Sequence, residues 1–188
     1  MKQSWKPGTM IYPLPAVLVS CGSEASEYTL FTVAWTGTIC TNPPMCYISV
    51  RPERHSYAII ERTKEFVINL TTKALARATD WCGVRSGKDY NKFKEMRLTP
   101  HRAQKVAAPI ILESPLSLEC EVIEIKELGS HHMFIANVVN VQADERYIDP
   151  VTDEFRLSDA KLITYSHGHY YKLGEEIGKF GWSVRKKK

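Results

Sequence analysis

The sequence contains no apolar stretch that approaches the ~20 residues a helix needs to cross a membrane. The apolar segment at residues 10–19 is broken by Pro13 and Pro15, and residues 1–7 are too polar to resemble a signal peptide. The usual signals for membrane insertion or export are therefore missing. We expect a soluble, cytoplasmic protein that makes no membrane contact.

The chain has five cysteines, and their spacing excludes the common disulfide and zinc-binding patterns. The cysteines are odd in number, form no CxxC pair and are scattered at Cys21, Cys40, Cys46, Cys82 and Cys120. Reduced thiols in a reducing compartment fit this pattern best. Cys120 alternates with Leu118 and Val122, which predicts a small core residue. The role of Cys46 stays open.

Two histidine pairs raise the alternative of a metal site. His131 and His132 are adjacent, and His167 and His169 are two residues apart, a spacing that points both rings to one side of a strand. No carboxylate or cysteine stands at a spacing that would complete a zinc site. We therefore predict no metal, and the roles of His132, His167 and His169 stay open.

Basic residues only slightly outnumber acidic ones, and the formal net charge is +4. Part of that excess lies in the basic run at residues 185–188, which is typical of a solvated tail. Aromatic and basic residues do not interleave as they do in RNA-binding surfaces. We predict that the protein binds no nucleic acid.

The sequence contains no glycine-rich nucleotide-binding loop of the GxGxxG or GxxxxGK[ST] type. It also lacks the regular alternation of strands and helices that is typical of a doubly wound sheet. Short β-branched and apolar runs predict strands at residues 16–21, 28–35, 45–50 and 66–70. Helical spacing predicts helices at residues 56–63, with Ser56 as the N-cap, and at residues 71–81.

Two longer strands follow in the second half of the chain. In residues 116–127, apolar and polar residues alternate, and the apolar residues move from even to odd positions after Val122. This change predicts a β-bulge near Val122 and Ile123. A turn at Gly129-Ser130 leads to residues 133–142 as the partner strand of a hairpin, and residues 162–165 are the last predicted strand. The whole chain, residues 1–188, thus reads as one mainly β domain of the barrel type with a few helices.

Four motifs, in this order, resemble the flavin reductase-like family, which includes the flavoredoxins. They are Thr32-Val33-Ala34-Trp35-Thr36, the Pro43-Pro44 strand running into Arg54-His55-Ser56-Tyr57, the Ser86-Gly87 motif ending at Lys92-Phe93, and Gly129-Ser130-His131. The tail from Tyr165 to Gly181 looks like the flavoredoxin branch. The resemblance implies an FMN-binding split β-barrel of Greek-key type that works as a homodimer, with the tail at about 165–188 packed on the barrel or on the partner.

Arginines and a hydroxyl around a helix start form a ready phosphate site, although the same residues also fit an ordinary solvated basic turn. In the family picture they bind the FMN phosphate, residues 32–36 bind the ring edge, and the two lysines add positive charge. The predicted cofactor-binding residues are Thr32, Val33, Ala34, Trp35, Thr36, Ser49, Val50, Arg51, Arg54, Ser56, Tyr57, Lys88 and Lys92. His131 is placed beside the nicotinamide, and no side chain is required as an acid or base.

Two functions fit this resemblance equally well. One is an NAD(P)H-dependent FMN reductase, in which hydride passes from the nicotinamide to FMN and electrons pass onward to an acceptor. The other is a flavoredoxin-type electron carrier whose bound FMN is reduced by a redox protein partner. A barrel that has lost its flavin and serves as a scaffold is the third alternative, and the intact phosphate-type turn argues against it.

Overall fold

The computed structural model describes residues 1–185 and has a mainly β architecture with few helices, as predicted. Residues 186–188, the end of the predicted tail, lie outside the described residues. The strands are β1 Leu14–Pro15, β2 Val17–Cys21, β3 Thr29–Val33, β4 Thr36–Cys40, β5 Met45–Val50, β6 Glu65–Asn69, β7 Pro100–His101, β8 Ile110–Ile111, β9 Leu116–Leu128, β10 His131–Ala143, β11 Ile163–Ser166 and β12 His169–Lys172. The α-helices are α1 His55–Thr63, α2 Ala76–Val84 and α3 Lys92–Met96, with 3-10 turns at Lys73–Leu75, Glu145–Tyr147, Leu157–Ala160 and Trp182–Val184.

Seven antiparallel strands form the central sheet in the order β3-β2-β6-β9-β10-β5-β4. Its two edge strands, β3 and β4, follow each other in the chain with only Ala34 and Trp35 between them. Because this short connection joins both edges, the sheet must curl until they meet. The backbone N–H of Ser49 donates to the Trp35 carbonyl at 2.9 Å and attaches the connection to β5. We call this meeting place, residues 32–35 with residues 49–50, the seam.

The long hairpin of β9 and β10 turns at Gly129 and Ser130, as predicted. The pairing register shifts where Ile123 has no partner on β10, which confirms the predicted bulge. A second shift leaves Val139 unpaired on β10. Each extra residue changes which face the following side chains point to, so both halves of the hairpin keep an apolar face toward the barrel.

The other predicted strands are present with small differences in their ends. Two observed strands of four or five residues were not predicted, nor were the two-residue strands β1, β7 and β8. The predicted runs correspond to β2, β3, β5, β6 and β11. The first missed strand, β4, contains a glycine and two threonines and has little apolar alternation. The second, β12, pairs with β11 through a two-residue turn at His167 and Gly168, so tertiary context rather than local pattern determines it.

The helices correct one local prediction. The helix predicted at residues 71–81 begins as the 3-10 turn Lys73–Leu75 and continues as α2 to Val84. Ser56 is not the N-cap of α1, because the helix begins at His55 and Arg54 occupies the cap position with extended backbone and no side-chain cap. Ser56 instead lies within the first turn, where its side chain is buried beside the Cys21 thiol.

The barrel interior forms the main apolar core, where Phe66, Phe134 and Ile48 are fully buried. Cys120 is also fully buried there, which confirms its predicted core position. A second cluster packs α2 and α3 against the outside of β2 and β3 and includes Leu18. The two helices therefore hold the β3 side of the seam from outside the barrel.

A buried carboxylate fixes the loop at residues 102–108 to the barrel. Glu119 on β9 is fully buried, and its oxygens accept hydrogen bonds from the backbone N–H groups of Gln104, Lys105 and Val106 and from the side-chain amides of Asn140 and Gln142. Burial alone would raise the pKa of Glu119, but these donors hold that pKa below its ordinary value. The carboxylate therefore replaces a missing strand partner for the loop.

The tail begins as part of a small sheet and then leaves large apolar side chains exposed. Strands β11 and β12 join β1 in the order β1-β11-β12. Beyond them, Ile177 is 91% exposed and Phe180 is 105% exposed, and near the other terminus Ile11 is 84% exposed. Packing of residues 173–185 on a dimer partner stays a prediction. Within the described residues, none of the helices has the length and apolarity required to span a membrane.

Candidate functional site

The seam opens into a cleft of about 230 Å³ between the end of β3 and the end of β5. Its walls include eight of the predicted cofactor-binding residues, namely Thr32, Val33, Ala34, Trp35, Ser49, Val50, Arg51 and Arg54. Edge strands offer main-chain groups that have no ladder partner, and such groups suit a planar ligand with donors and acceptors along its rim. The cleft can therefore hold a flat polar-edged ring.

His131 and Trp35 stand together at one side of this cleft. Their ring centroids are 4.3 Å apart at an angle of 48°, and both residues line the cleft. Burial, together with the nearby charge of Arg51, lowers the pKa of His131 below its ordinary value. The imidazole is therefore neutral at pH 7 and can donate one hydrogen bond while accepting another.

A cationic cavity of about 380 Å³ adjoins the cleft, and the two share Phe31, Arg51 and Arg54 in their walls. The start of α1 and the segment between α2 and α3 supply the rest, namely Glu53, His55, Ser56, Val84, Arg85, Ser86, Gly87 and Lys92. Arginine and lysine outnumber the single carboxylate of the lining by four to one. Such an excess of positive charge in a concave site attracts anions.

Lys92 is the most unusual residue of the cationic cavity because it is a buried cation. Its exposed fraction is 3%, and its Nζ donates to the Cys82 carbonyl at 2.8 Å. Within residues 1–185 it forms no ion pair with a carboxylate. Burial lowers the pKa of Lys92 to about 8, and the charge of Arg54 acts in the same direction. An anion in the cavity would supply the partner that this ammonium group lacks.

The two predicted arginines flank the entrance of the same cavity. Arg51 forms an ion pair with Glu53 at 3.4 Å, and both side chains are more than half exposed. The Arg54 Nη1 donates to the Gly83 carbonyl at 3.0 Å, which attaches the α1 start to α2. Each guanidinium has five N–H donors, so these contacts leave donors for a bound anion. Ser56 lines the cavity from the first turn of α1.

Three of the predicted cofactor-binding residues lie outside both cavities. Thr36 is buried, and its hydroxyl donates to the Tyr47 carbonyl at 2.5 Å. The Tyr57 hydroxyl is 2.8 Å from Nδ1 of His132, and its ring packs in the barrel core. Lys88 lines a separate cavity next to the cationic one. The Thr32 side chain also points away from the cleft, because its hydroxyl donates to a carbonyl of α2.

Several lining residues were not selected from the sequence. Phe31 reads as an ordinary strand residue, and Tyr165 reaches the cleft only because β11 pairs with β1. Arg85, Ser86 and Gly87 line the cationic cavity, and two of them stand in the Ser86-Gly87 motif. That motif could have identified Ser86 and Gly87 from the sequence, but only its lysines, Lys88 and Lys92, were predicted as cofactor-binding residues.

His167, Cys46 and Cys120 lie outside both the cleft and the cationic cavity. His167 packs edge-on against Tyr12 with ring centroids 5.7 Å apart, and within residues 1–185 no cluster of three or more His, Cys, Asp or Glu residues could hold a metal. The Cys46 and Cys120 sulfurs are 3.6 Å apart in the core.

The chain resembles known proteins over nearly its whole length. A family model described as "Flavin reductase like domain" matches residues 9–174. The flavoredoxin of Desulfovibrio vulgaris (Miyazaki F) is 28% identical with a TM-score of 0.90, over 98% of this chain and 100% of that one. The flavoredoxin from Methanosarcina acetivorans has a TM-score of 0.85 over 98% of this chain and 100% of that one, and at 22% identity it shows a likeness in fold alone.

A sequence relative comes from a two-component enzyme system. The reductase component of 4-nitrophenol 4-monooxygenase/4-nitrocatechol 2-monooxygenase from Rhodococcus opacus is 28% identical over 65% of this chain and 68% of its own length. The family match and the structural likeness confirm the predicted family and its split-barrel fold. The chain therefore belongs to the flavin reductase-like family and has the fold of a flavin-binding redox protein.

Proposed function

We propose that the protein is an NAD(P)H-dependent reductase that binds FMN across the cleft and the cationic cavity. The observation that carries this proposal is Lys92, a buried ammonium group that pairs with no carboxylate of residues 1–185, in a cavity that opens beside a ring-sized cleft. A flavin mononucleotide has the two matching parts, a planar ring and a phosphate dianion. The pairing of a ring-sized cleft with a cationic cavity thus favours FMN over riboflavin.

The residues present fit the phosphate group. Lys92, Arg51 and Arg54 would hold it by charge-assisted hydrogen bonds, and Ser56 and the backbone of the first turn of α1 complete the donor set. Because Lys92 is already buried, phosphate binding adds charge neutralisation without burying a second cation. The cost of keeping this cation out of water is then offset in the loaded protein.

The cleft residues orient the ring and limit the access of water. Main-chain groups of residues 33–35 and 49–50 would bind the ring edge, and Trp35 covers one end of the cleft. When bound, FMN accepts a hydride from NAD(P)H and passes two electrons to an acceptor. The neutral imidazole of His131 donates a hydrogen bond that keeps the nicotinamide against the open face.

An electron-carrier function is the second candidate. It has the support of the structural likeness to the flavoredoxin of Desulfovibrio vulgaris, whereas the reductase function has the support of the relative named as a reductase component. The two functions differ in the electron donor, which is a nicotinamide in the first and a redox protein in the second.

The visible spectrum of the purified protein tests the function. Under anaerobic conditions, NADH or NADPH should bleach the band of the bound flavin within the mixing time of a manual assay. A band that persists with both nucleotides, and bleaches only after a reduced redox protein is added, contradicts the reductase and supports the carrier. A protein that takes up no flavin at all contradicts both.

His131→Ala is the variant that tests the nicotinamide position. It should slow reduction by NAD(P)H about tenfold or more, which corresponds to ~1.4 kcal/mol of barrier. The bound FMN content and the reduction by dithionite should stay normal, because His131 packs at a tilt against Trp35 at the side of the cleft and does not line the cationic cavity. His132→Ala is the matched control, since its ring contacts Tyr57 instead. An unchanged stopped-flow rate for His131→Ala removes this residue from the nicotinamide site.

We further propose that the protein works as a homodimer. The apolar side chains left exposed after β12, above all Ile177 and Phe180, support an intermolecular surface. A second copy of the chain would cover them by a two-fold symmetric contact.

A further inference from the structure

A further cavity of about 440 Å³ adjoins the cleft at the seam, where the two share Trp35 and Ser49 in their walls. One part of its lining comes from the N-terminal segment at residues 8–14, and another comes from Tyr47 on β5 and Met133 on β10. Among residues 1–185, it shares no lining residue with the cationic cavity. We call it the apolar pocket. A molecule in this pocket therefore lies next to the cleft and leaves the cationic cavity free.

The lining of the apolar pocket is neutral. Met10, Ile11, Leu14 and Met133 supply aliphatic and thioether surface, and none of the described residues that line the pocket is charged. The cleft and the cationic cavity, in contrast, both include arginines. Met10 is 56% exposed, and a methionine side chain adapts its shape to an apolar ligand. An uncharged molecule with an apolar surface is therefore the class of ligand that this pocket favours.

Hydroxyl groups interrupt this apolar lining at the end next to the cleft. Tyr47 supplies a phenol and Ser49 an alcohol, and each can donate to a carbonyl oxygen. A Cβ at Gly37 would lie 3.2 Å from Cε1 of Tyr47, so the glycine lets this ring lie close against β4. The backbone N–H of Ser49 is fixed on the Trp35 carbonyl at 2.9 Å. The pocket thus combines apolar surface with donors for carbonyl groups.

We propose that the apolar pocket binds an uncharged quinone, which accepts the electrons of the reduced flavin. This inference names the acceptor of the proposed reductase and rests on that function. A quinone has a planar apolar ring, two carbonyl oxygens that accept hydrogen bonds, and no charge that the lining would leave unpaired. Trp35 and Ser49 form the common wall, so the quinone lies one side chain away from the ring site.

The reaction is a balanced two-electron transfer. The quinone takes up two electrons and one proton from the reduced flavin and a second proton from water, so that both of its carbonyl oxygens become hydroxyls. This leaves the flavin oxidised and able to accept the next hydride from NAD(P)H. No other oxidant or reductant is required.

Binding is tested by NMR on the oxidised, flavin-loaded protein with methyl-labelled methionine. The probe is duroquinone, an uncharged quinone whose ring is fully methylated and therefore does not add thiols. Duroquinone should shift the methyl signals of Met10 and Met133, which line the pocket. The signal of Met96, which packs with α2 and α3, should stay in place. Methyl signals of Met10 and Met133 that do not move show that the pocket is closed, or covered by a second copy of the chain, and overturn the inference.

Electron transfer is tested by stopped-flow reoxidation of protein whose flavin has been reduced with one equivalent of dithionite in the absence of oxygen. Met133→Trp fills the pocket and should raise the half-saturating duroquinone concentration about tenfold or more. Met10→Asp places a carboxylate in the same wall and should act in the same direction, and Met10 belongs to no helix or strand, so the barrel stays intact. Val151→Asp, at an exposed apolar residue outside the cleft and the pocket, is the matched control and should change nothing.

Ferricyanide, a small anionic acceptor, separates a blocked pocket from a damaged flavin site. Its reaction with the reduced protein should be the same in the wild type, Met133→Trp and Met10→Asp. If both variants react with duroquinone as the wild type does, or if they slow both acceptors equally, the pocket is not the acceptor site. If NAD(P)H fails to bleach the flavin, the proposed function fails, and the methyl shifts and the reoxidation of dithionite-reduced protein still decide this inference.

Discussion

Replacing Lys92 with methionine separates cofactor binding from fold stability, because the structure predicts opposite changes in the two. Methionine has nearly the length of lysine and no charge, so it fills the same buried space. Nζ of Lys92 uses one N–H on the Cys82 carbonyl and keeps two for an anion. A charge-assisted hydrogen bond contributes roughly 1.5–3 kcal/mol, so Lys92→Met should weaken FMN binding by about 10- to 150-fold.

Riboflavin, which has no phosphate, should bind to Lys92→Met as it does to the wild type. The cofactor-free variant should in turn melt at a higher temperature at pH 7, because the wild type keeps an unpaired ammonium group out of water. The pKa of Lys92 is about 8 in the folded chain and near 10.5 when it is exposed, so the unfolded state binds more protons between these values. The stability of the cofactor-free wild type therefore rises as the pH increases from about 8 toward 10.5, and that of the variant lacks this rise.

Fluorescence titration with both flavins, and thermal unfolding between pH 7 and 10, measure these effects. Lys88→Met is the matched control, since Lys88 is an exposed lysine outside the cationic cavity and should leave FMN affinity unchanged. Equal weakening of FMN and riboflavin by Lys92→Met would refute the phosphate assignment. A lower melting temperature of the cofactor-free variant would refute the argument from the buried charge.

Two further predictions concern the loop and the tail. Glu119→Gln places an amide against N–H donors and should cost roughly 2–4 kcal/mol of unfolding free energy, measured in urea at pH 7. Since the folded pKa of Glu119 is lowered, the wild type loses this stabilisation as the pH falls below about 4.5, and a variant with an unchanged urea midpoint would show that the carboxylate is not required. Truncation after Lys172 should convert the dimer to a monomer in sedimentation analysis, because it removes Ile177 and Phe180; a truncated chain that stays dimeric locates the contact elsewhere.

Local pattern was sufficient for much of the fold. The strands β2 and β6 follow from short apolar and β-branched runs, and the structure buries both of their faces. The bulge at Ile123 follows from the change of parity in the alternating sequence of β9. β4 was missed because its sequence has little alternation and its pairing with β5 comes from the curl of the sheet. The wrong N-cap at Ser56 has a similar cause, since burial against Cys21 overrides the usual capping preference of serine.

The site was predicted less completely than the fold. The motif residues around the seam and the phosphate turn gather in two adjoining cavities, yet Thr36 and Tyr57 turn into the protein. Lys92 was predicted to add positive charge to the cofactor site, but its burial was not predicted, because it depends on how α3 packs against β3. No periodicity in five residues of helix distinguishes a buried lysine from an exposed one.

The seam has a consequence for solubility and handling. On the side away from β2, β3 has no ladder partner within residues 1–185, and β4 likewise ends the other side of the sheet. Unpaired strand edges are templates for intermolecular β-pairing, which proteins usually prevent with charge, proline or cover. At the proposed site, a flavin ring with donors and acceptors along its rim would occupy the seam as an added strand would. The cofactor would then protect the barrel from edge-to-edge aggregation, and protein stored with its flavin should stay monodisperse longer than protein stored without it.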